Sequence, residues 1–155
     1  MRILICGDRE WSDLDLIKEC LNLIRKRVKA VVHGGARGAD KLAGEAALVL
    51  KIELVEVYHA DWSKYGRAAG PVRNQKMLDC GEPDIGWAFH DHILRSKGTR
   101  DMLRRLRKAE KPNALISHEG VTIWKPQSTS GAETKDAPSG KLAQGLLIDL
   151  VRECC

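Results

Sequence analysis

Long apolar runs are missing from this chain of 155 residues, and no segment has the length and hydropathy of a bilayer span. The amino terminus carries no apolar core of the signal-peptide kind, so a secreted protein is not expected. Its 5 cysteines include no Cys-x-x-Cys pair, which argues against a disulfide framework. Cys6 and Cys80 fall on apolar faces and Cys20 on a helical one, and a reducing, cytoplasmic setting is the expectation. A Walker-type phosphate loop is absent too. The terminal Cys154-Cys155 has the form of a dual-prenylation signal, yet without that loop the chain does not look like a small GTPase, and the pair reads as exposed tail thiols. No internal repeat occurs.

Charge is present in excess, with a formal net of +5, and it is local. Between residues 95 and 111 stand eight basic side chains (Arg95, Lys97, Arg100, Arg104, Arg105, Arg107, Lys108, Lys111) against Asp101 and Glu110. The rest of the chain is therefore close to neutral. Such a helix can meet a phosphate backbone, and it also serves as a solvated face whose long stems cover apolar neighbours. The solvated face is the preferred reading.

At this size one domain with a sizeable core is expected. Short apolar segments alternate with amphipathic ones, the pattern of an α/β sheet with helices on both faces. The spacing predicts strands at 1–6, 29–33, 52–58, 84–89 and 113–117, and helices at 13–27, 38–50, 71–80 and 98–109. Residues 121–124 read as a last strand, hairpinned through His118-Glu119-Gly120 and closing a domain of residues 1–124. Residues 125–140, rich in Pro, Gly, Ser and Thr, read as a linker. Residues 141–155 read as a terminal amphipathic helix with Leu142, Leu146, Leu147, Leu150 and Val151 in one stripe. That stripe must be buried, on its own sheet or on a second copy, and the expectation is a homodimer or higher homo-oligomer.

The strand-to-helix junctions carry the chemistry. Gly7-Asp8-Arg9 follows the first strand, and Gly34-Gly35-Ala36-Arg37-Gly38-Ala39-Asp40 follows the second. Gly70-Pro71-Val72-Arg73-Asn74 opens the third helix, and Ser96-Lys97-Gly98-Thr99 opens the fourth. In an open parallel sheet these junctions share the carboxyl edge of the strands, where ligands bind at the switch in strand order. Glycine lets the backbone approach a ligand, and a helix start offers unpaired N–H groups to an anion. Glycine amides and the Thr99 hydroxyl suit phosphate oxygens, Arg73 suits a two-pronged clamp, and Asp40 suits either ribose hydroxyls or the helix dipole. His90-Asp91-His92 follows the fourth strand, and two histidines without a third ligand read as a polar loop, so no metal is expected. Asp8, Asp40 and Asp91 are the carboxylates available for proton transfer, with Asp40 and Asp91 the catalytic candidates if there is chemistry. Trp11 and Trp62 lie in edge loops and suit base stacking, whereas Trp87 and Trp124 lie in strands and suit the core.

In order and spacing, the glycine–arginine loop 33–40, Asp61-Trp62, the Arg73-Asn74 element and the Gly98-Thr99 turn resemble the YspA-like, YpsA-related branch of the SLOG superfamily. That superfamily is a Rossmann-like group that also includes the DprA and LOG proteins. The resemblance spans residues 1 to about 117. It implies a doubly wound, mostly parallel sheet and a nucleotide or nucleotide-derived ligand, with many members occurring in phages. The ligand residues it implies are Gly34, Gly35, Arg37, Gly38, Asp40, Gly70, Arg73, Asn74, Ser96, Gly98 and Thr99, beside Gly7, Asp8 and Arg9 from the first junction. LOG enzymes carry a glutamate three residues after the threonine, where this chain has Met102, and a thioether neither exchanges a proton nor stabilises an oxocarbenium ion. The expectation is therefore a sensor or sequestering protein with no cofactor. The alternatives are an N-glycoside hydrolase of LOG type and a DprA-like nucleic-acid binder.

Overall fold

The first strand, β1 (Arg2–Gly7), shows why the fold has two helical layers. Ile3 and Ile5 point to one face and Leu4 and Cys6 to the other, and all four are buried. A strand apolar on both faces belongs in the middle of a covered parallel sheet. The computed structural model describes residues 1–126, 134–136 and 141–152.

After β1 come α1 (Leu14–Ile24), β2 (Ala30–His33), α2 (Ala39–Val49) and β3 (Leu54–Val57). Then follow a short α3 (Trp62–Tyr65), α4 (Ala69–Asp79), β4 (Ile85–Phe89), α5 (Lys97–Lys108), β5 (Asn113–Ser117) and β6 (Gly120–Trp124). The strand order is β3-β2-β1-β4-β5-β6-β7, with β7 at Thr134–Asp136. β1 to β5 run parallel, and β6 and β7 add antiparallel. The protein is thus the doubly wound, Rossmann-like α/β sheet that the sequence pattern implied. Helices α1 and α2 cover the Ile3/Ile5 face. Met77 of α4 with Met102, Leu103 and Leu106 of α5 cover the Leu4/Cys6 face.

Local chemistry explains most boundaries. Asp13 caps α1 by accepting the Leu16 amide at 2.8 Å, and Ile17, Cys20, Leu21 and Ile24 bury one side of it. The helix stops at Ile24, short of the expected residue 27. α4 begins at Ala69, before the expected residue 71, because a 3-10 turn at Gly66–Ala68 feeds it; Pro71 sits in its first turn.

Most of the expected linker lies outside the described residues, but Thr134–Asp136 within it pairs with β6 as the seventh strand. An edge strand needs only its neighbour's backbone groups, so it leaves no apolar period in the sequence. The terminal helix α6 (Lys141–Arg152) lies against α1 and β6. Its Leu147, Leu150 and Val151 are buried in the domain's own core, and the side chains of Leu142 and Leu146 lie outside the described residues. Cys154 and Cys155 lie outside the described residues.

Candidate functional site

Between β1 and β4 the connections part: β1 leads to α1 and β2 on one side, and β4 leads to α5 and β5 on the other. A crevice at the carboxyl ends follows from that topology. It holds a cavity of about 620 Å³, lined by residues 6–10, Ala36, Asp40, Arg73, Asn74, His90, His92, residues 95–99 and Met102. Its volume falls in the range of small-molecule sites.

One wall is an internally bonded hub. The Asp40 side chain is 5% exposed, and its Oδ2 accepts the amides of Gly34 at 3.0 Å and Ala36 at 3.4 Å. Arg73 Nη1 lies 3.5 Å from the same oxygen and donates to the Gly34 carbonyl at 2.6 Å, while its Nε donates to Asn74 Oδ1 at 3.1 Å. Burial pushes the Asp40 carboxyl above its ordinary range, with Arg73 and the two amides pulling the other way. Asn74 in turn donates from Nδ2 to the Gly98 carbonyl at 3.2 Å and to Asp101 Oδ2 at 3.1 Å. Asp40, Arg73 and Asn74 therefore tie α2, α4 and α5 together, and much of their bonding capacity is used within the protein. His33, buried at the end of β2, accepts the Gly35 amide at 3.2 Å; burial and then His59 and Arg73 push its pKa down to about 4, so its ring is neutral at pH 7.

The opposite wall is the start of α5. Ser96 caps it by accepting the Thr99 amide at 3.2 Å, and Thr99 Oγ1 donates to the Gly7 carbonyl at 3.1 Å. The two hydroxyls are themselves bonded at 2.9 Å. The Thr99 hydroxyl thus fastens α5 to β1, and the Ser96 hydroxyl caps the helix. The amides of Lys97 and Gly98 remain, and a Cβ built on Gly98 would meet no atom within 4 Å. Both residues line the cavity, at the positive end of a 12-residue helix. Arg9, Arg95 and Lys97 line it and form no ion pair among the described residues. Glu10 is engaged by Arg37.

Of the ligand residues read from the sequence, Gly7, Asp8, Arg9, Asp40, Arg73, Asn74, Ser96, Gly98 and Thr99 line the cavity. Gly34, Gly35, Arg37, Gly38 and Gly70 do not. Gly38 has φ +75°, and a Cβ there would stand 2.2 Å from the Asp8 carbonyl. It lets the β2–α2 loop close on the β1 loop, and the Ala39 amide then donates to that carbonyl at 3.0 Å.

Asp91 is also elsewhere. It accepts the His118 amide at 2.9 Å and faces the His118 ring at 2.8 Å. Trp11 is buried, its ring stacked on His118 at 4.6 Å, and Trp62 is exposed away from the cavity; Trp87 is fully buried in the core. The pattern reading passed over His90, His92, Arg95 and Lys97 as ligand groups. The signal was there, since all four stand between a buried strand and a capped helix start, but they read as a polar loop and a basic run. No group of three or more metal-ligating side chains occurs among the described residues.

Fold and site together define a Rossmann-like α/β protein with a polar cavity at its strand-order switch. The model of the "YspA, cpYpsA-related SLOG family" matches residues 1–65. The Gene 61 protein of Mycobacterium phage D29 is 39% identical over 118 residues, covering 72% of this chain and 92% of that protein. The chain belongs to the YspA, cpYpsA-related SLOG family. Among solved structures, protein VC1899 from Vibrio cholerae is 10% identical with a TM-score of 0.49; the match covers 95% of this chain, which spans only 39% of that protein. Glycinamide ribonucleotide transformylase 1 from Symbiobacterium toebii is 12% identical with a TM-score of 0.43, covering 99% of this chain and 85% of that one. Likeness this loose carries no property over. No helix among the described residues is long and apolar enough to cross a membrane.

Proposed function

We propose that the protein binds a nucleotide or a nucleotide-derived phosphate compound in the β1/β4 cavity and acts as a sensor or sequestering protein. The observation that carries this is the α5 start: Lys97 and Gly98, its first two residues, line a cavity that also holds Arg9 and Arg95, and Arg9, Arg95 and Lys97 have no ion-pair partners among the described residues. Converging amides, a helix dipole and cationic side chains suit an anion with several oxygens. Membership of the SLOG family and the phage relative support a phage-type member of a nucleotide-binding group.

Met102 bears on the hydrolase alternative. It lines the cavity at 1% exposure, so the position is at the site, and it supplies no carboxylate. Native mass spectrometry of the purified full chain tests the proposal. A retained ligand whose mass fits a nucleotide supports it. Chromatography after incubation with nucleoside monophosphates should show ligand intact; free base formed over many turnovers would replace the sensor reading with the hydrolase.

A further inference from the structure

The cavity holds one polar pair that the anion subsite does not use. His90 follows β4, its side chain is 6% exposed, and its Nδ1 accepts the His92 amide at 2.9 Å. A ring nitrogen that accepts a fixed backbone donor carries no hydrogen, so the neutral ring bears its proton on Nε2. A second proton at Nδ1 would have to break that bond. His90 thus lines the cavity as an N–H donor, and its Nε2 has no hydrogen-bond partner among the described residues.

Facing it at 3.8 Å is Asp8 Oδ2, too far for a direct bond. Asp8 is held firmly. Its Oδ1 accepts the Glu10 amide at 3.1 Å, its own amide donates to the Phe89 carbonyl at 2.9 Å, and its carbonyl accepts from Ala39 at 3.0 Å. Oδ2 is left without a hydrogen bond. An oxygen set to one side of the line between this donor and this acceptor can lie about 2.8 Å from each. That oxygen must accept from Nε2–H and donate to Oδ2. Water does both, and among the groups of a ligand a hydroxyl does both, whereas a phosphate or carbonyl oxygen only accepts and an ammonium only donates. The place adjoins the anion subsite, because Thr99 of α5 is bonded to Gly7, the residue before Asp8.

We propose that Asp8 and His90 form a hydroxyl-recognition subsite, and that the ligand is a ribosyl phosphate whose sugar hydroxyl bridges the two. This rests on the anion reading of the α5 start and deepens it by selecting a sugar phosphate that carries the bridging hydroxyl over one that lacks it. Asp40, the carboxylate singled out in the sequence, is buried and already bonded to Gly34 and Ala36, so the sugar falls to Asp8 instead.

The test titrates the full chain, by NMR chemical shift, with inorganic phosphate, ribose 5-phosphate and the 2-deoxy and 3-deoxy analogues of that sugar phosphate. The expected result is that ribose 5-phosphate binds about tenfold or more tighter than one of the deoxy analogues, as a site built to bond a hydroxyl demands. Asp8→Ala and His90→Phe should each bring that ratio towards one. Equal affinity for all three sugar phosphates in the wild-type protein overturns the subsite and leaves the anion site standing. Absence of binding by inorganic phosphate and all three sugars overturns both.

Discussion

His118 lies stacked on Trp11, its ring plane within 14° and its centroid 4.6 Å away, with Nδ1 2.8 Å from Asp91 and Nε2 3.3 Å from Asp13. The β5–β6 turn is thereby pinned to the β4 loop and to the cap of α1. The hydrogen bond that the His118 ring donates to Asp91 raises the His118 pKa above its ordinary value. Burial alone would raise the Asp91 carboxyl, but the His118 amide and ring outweigh it and lower it.

The first prediction follows from those directions. His118 contributes stability that is fully present below about pH 6.5 and is lost as pH rises through its raised pKa. Asp91 contributes stability present above about pH 4 and lost as pH falls through its depressed pKa. The pair therefore helps most between those limits. His118 is half exposed, so the effect is at most about 1 kcal/mol. Melting curves of wild type and Asp91→Asn should differ most between about pH 4 and 6.5, and the difference should shrink above the His118 titration to the part that the His118 amide sustains. A difference independent of pH would show that the contact is packing alone.

Arg73 reads as a ligand clamp in the sequence, and in the structure it lines the cavity while also bonding Gly34 and Asn74. Removing it strands Asp40, a buried carboxylate, so Arg73→Ala should cost about 3 kcal/mol of unfolding free energy in a denaturant melt. The double variant Arg73→Ala/Asp40→Asn should recover part of that loss, since the two positions share one network. Additive losses would mean that Arg73 and Asp40 act independently.

Lys97 and Arg95 are the better probes of ligand binding. Lys97→Ala and Arg95→Ala remove cations that no described acid partners, so each should weaken nucleotide or inorganic phosphate binding by about tenfold, or ~1.4 kcal/mol. The melting temperature should stay within a degree or two. Calorimetric titration checks the first part and a thermal melt the second. Unchanged affinity in both variants would remove the α5 start from the site.

Truncation after Trp124 should destabilise the domain rather than dissociate a dimer. Leu147, Leu150 and Val151 are buried against α1 and β6, and each is worth about 1.5–3 kcal/mol in burial. Light scattering beside a denaturant melt separates the outcomes. A truncated chain that keeps full stability but halves its mass would restore the helix to an interface between copies.

The alternation of apolar strands and amphipathic helices was enough to determine the α/β class, the helical layers on both faces and the edge shared by the strand-to-helix junctions. Chain-local physics governs all three: residue period sets the element, and right-handed crossovers set the side. The sequence also determined most of the cavity's lining, because strand-to-helix junctions of a parallel sheet meet at one edge wherever they fall in the chain. Only the tertiary structure decided what each polar group there is free to do. Asp40, Arg73, Asn74 and Thr99 have the chemistry of ligand contacts, yet each is bonded across to another element. Asp8, His90, Arg95 and Lys97 keep a group facing the cavity. A hydrogen bond between residues 33 or 92 positions apart leaves no mark on the local pattern, so the fold alone shows which of these groups are already bonded within the protein. The fate of the α6 stripe was decided in the same way, since apolar periodicity demands burial without saying against what.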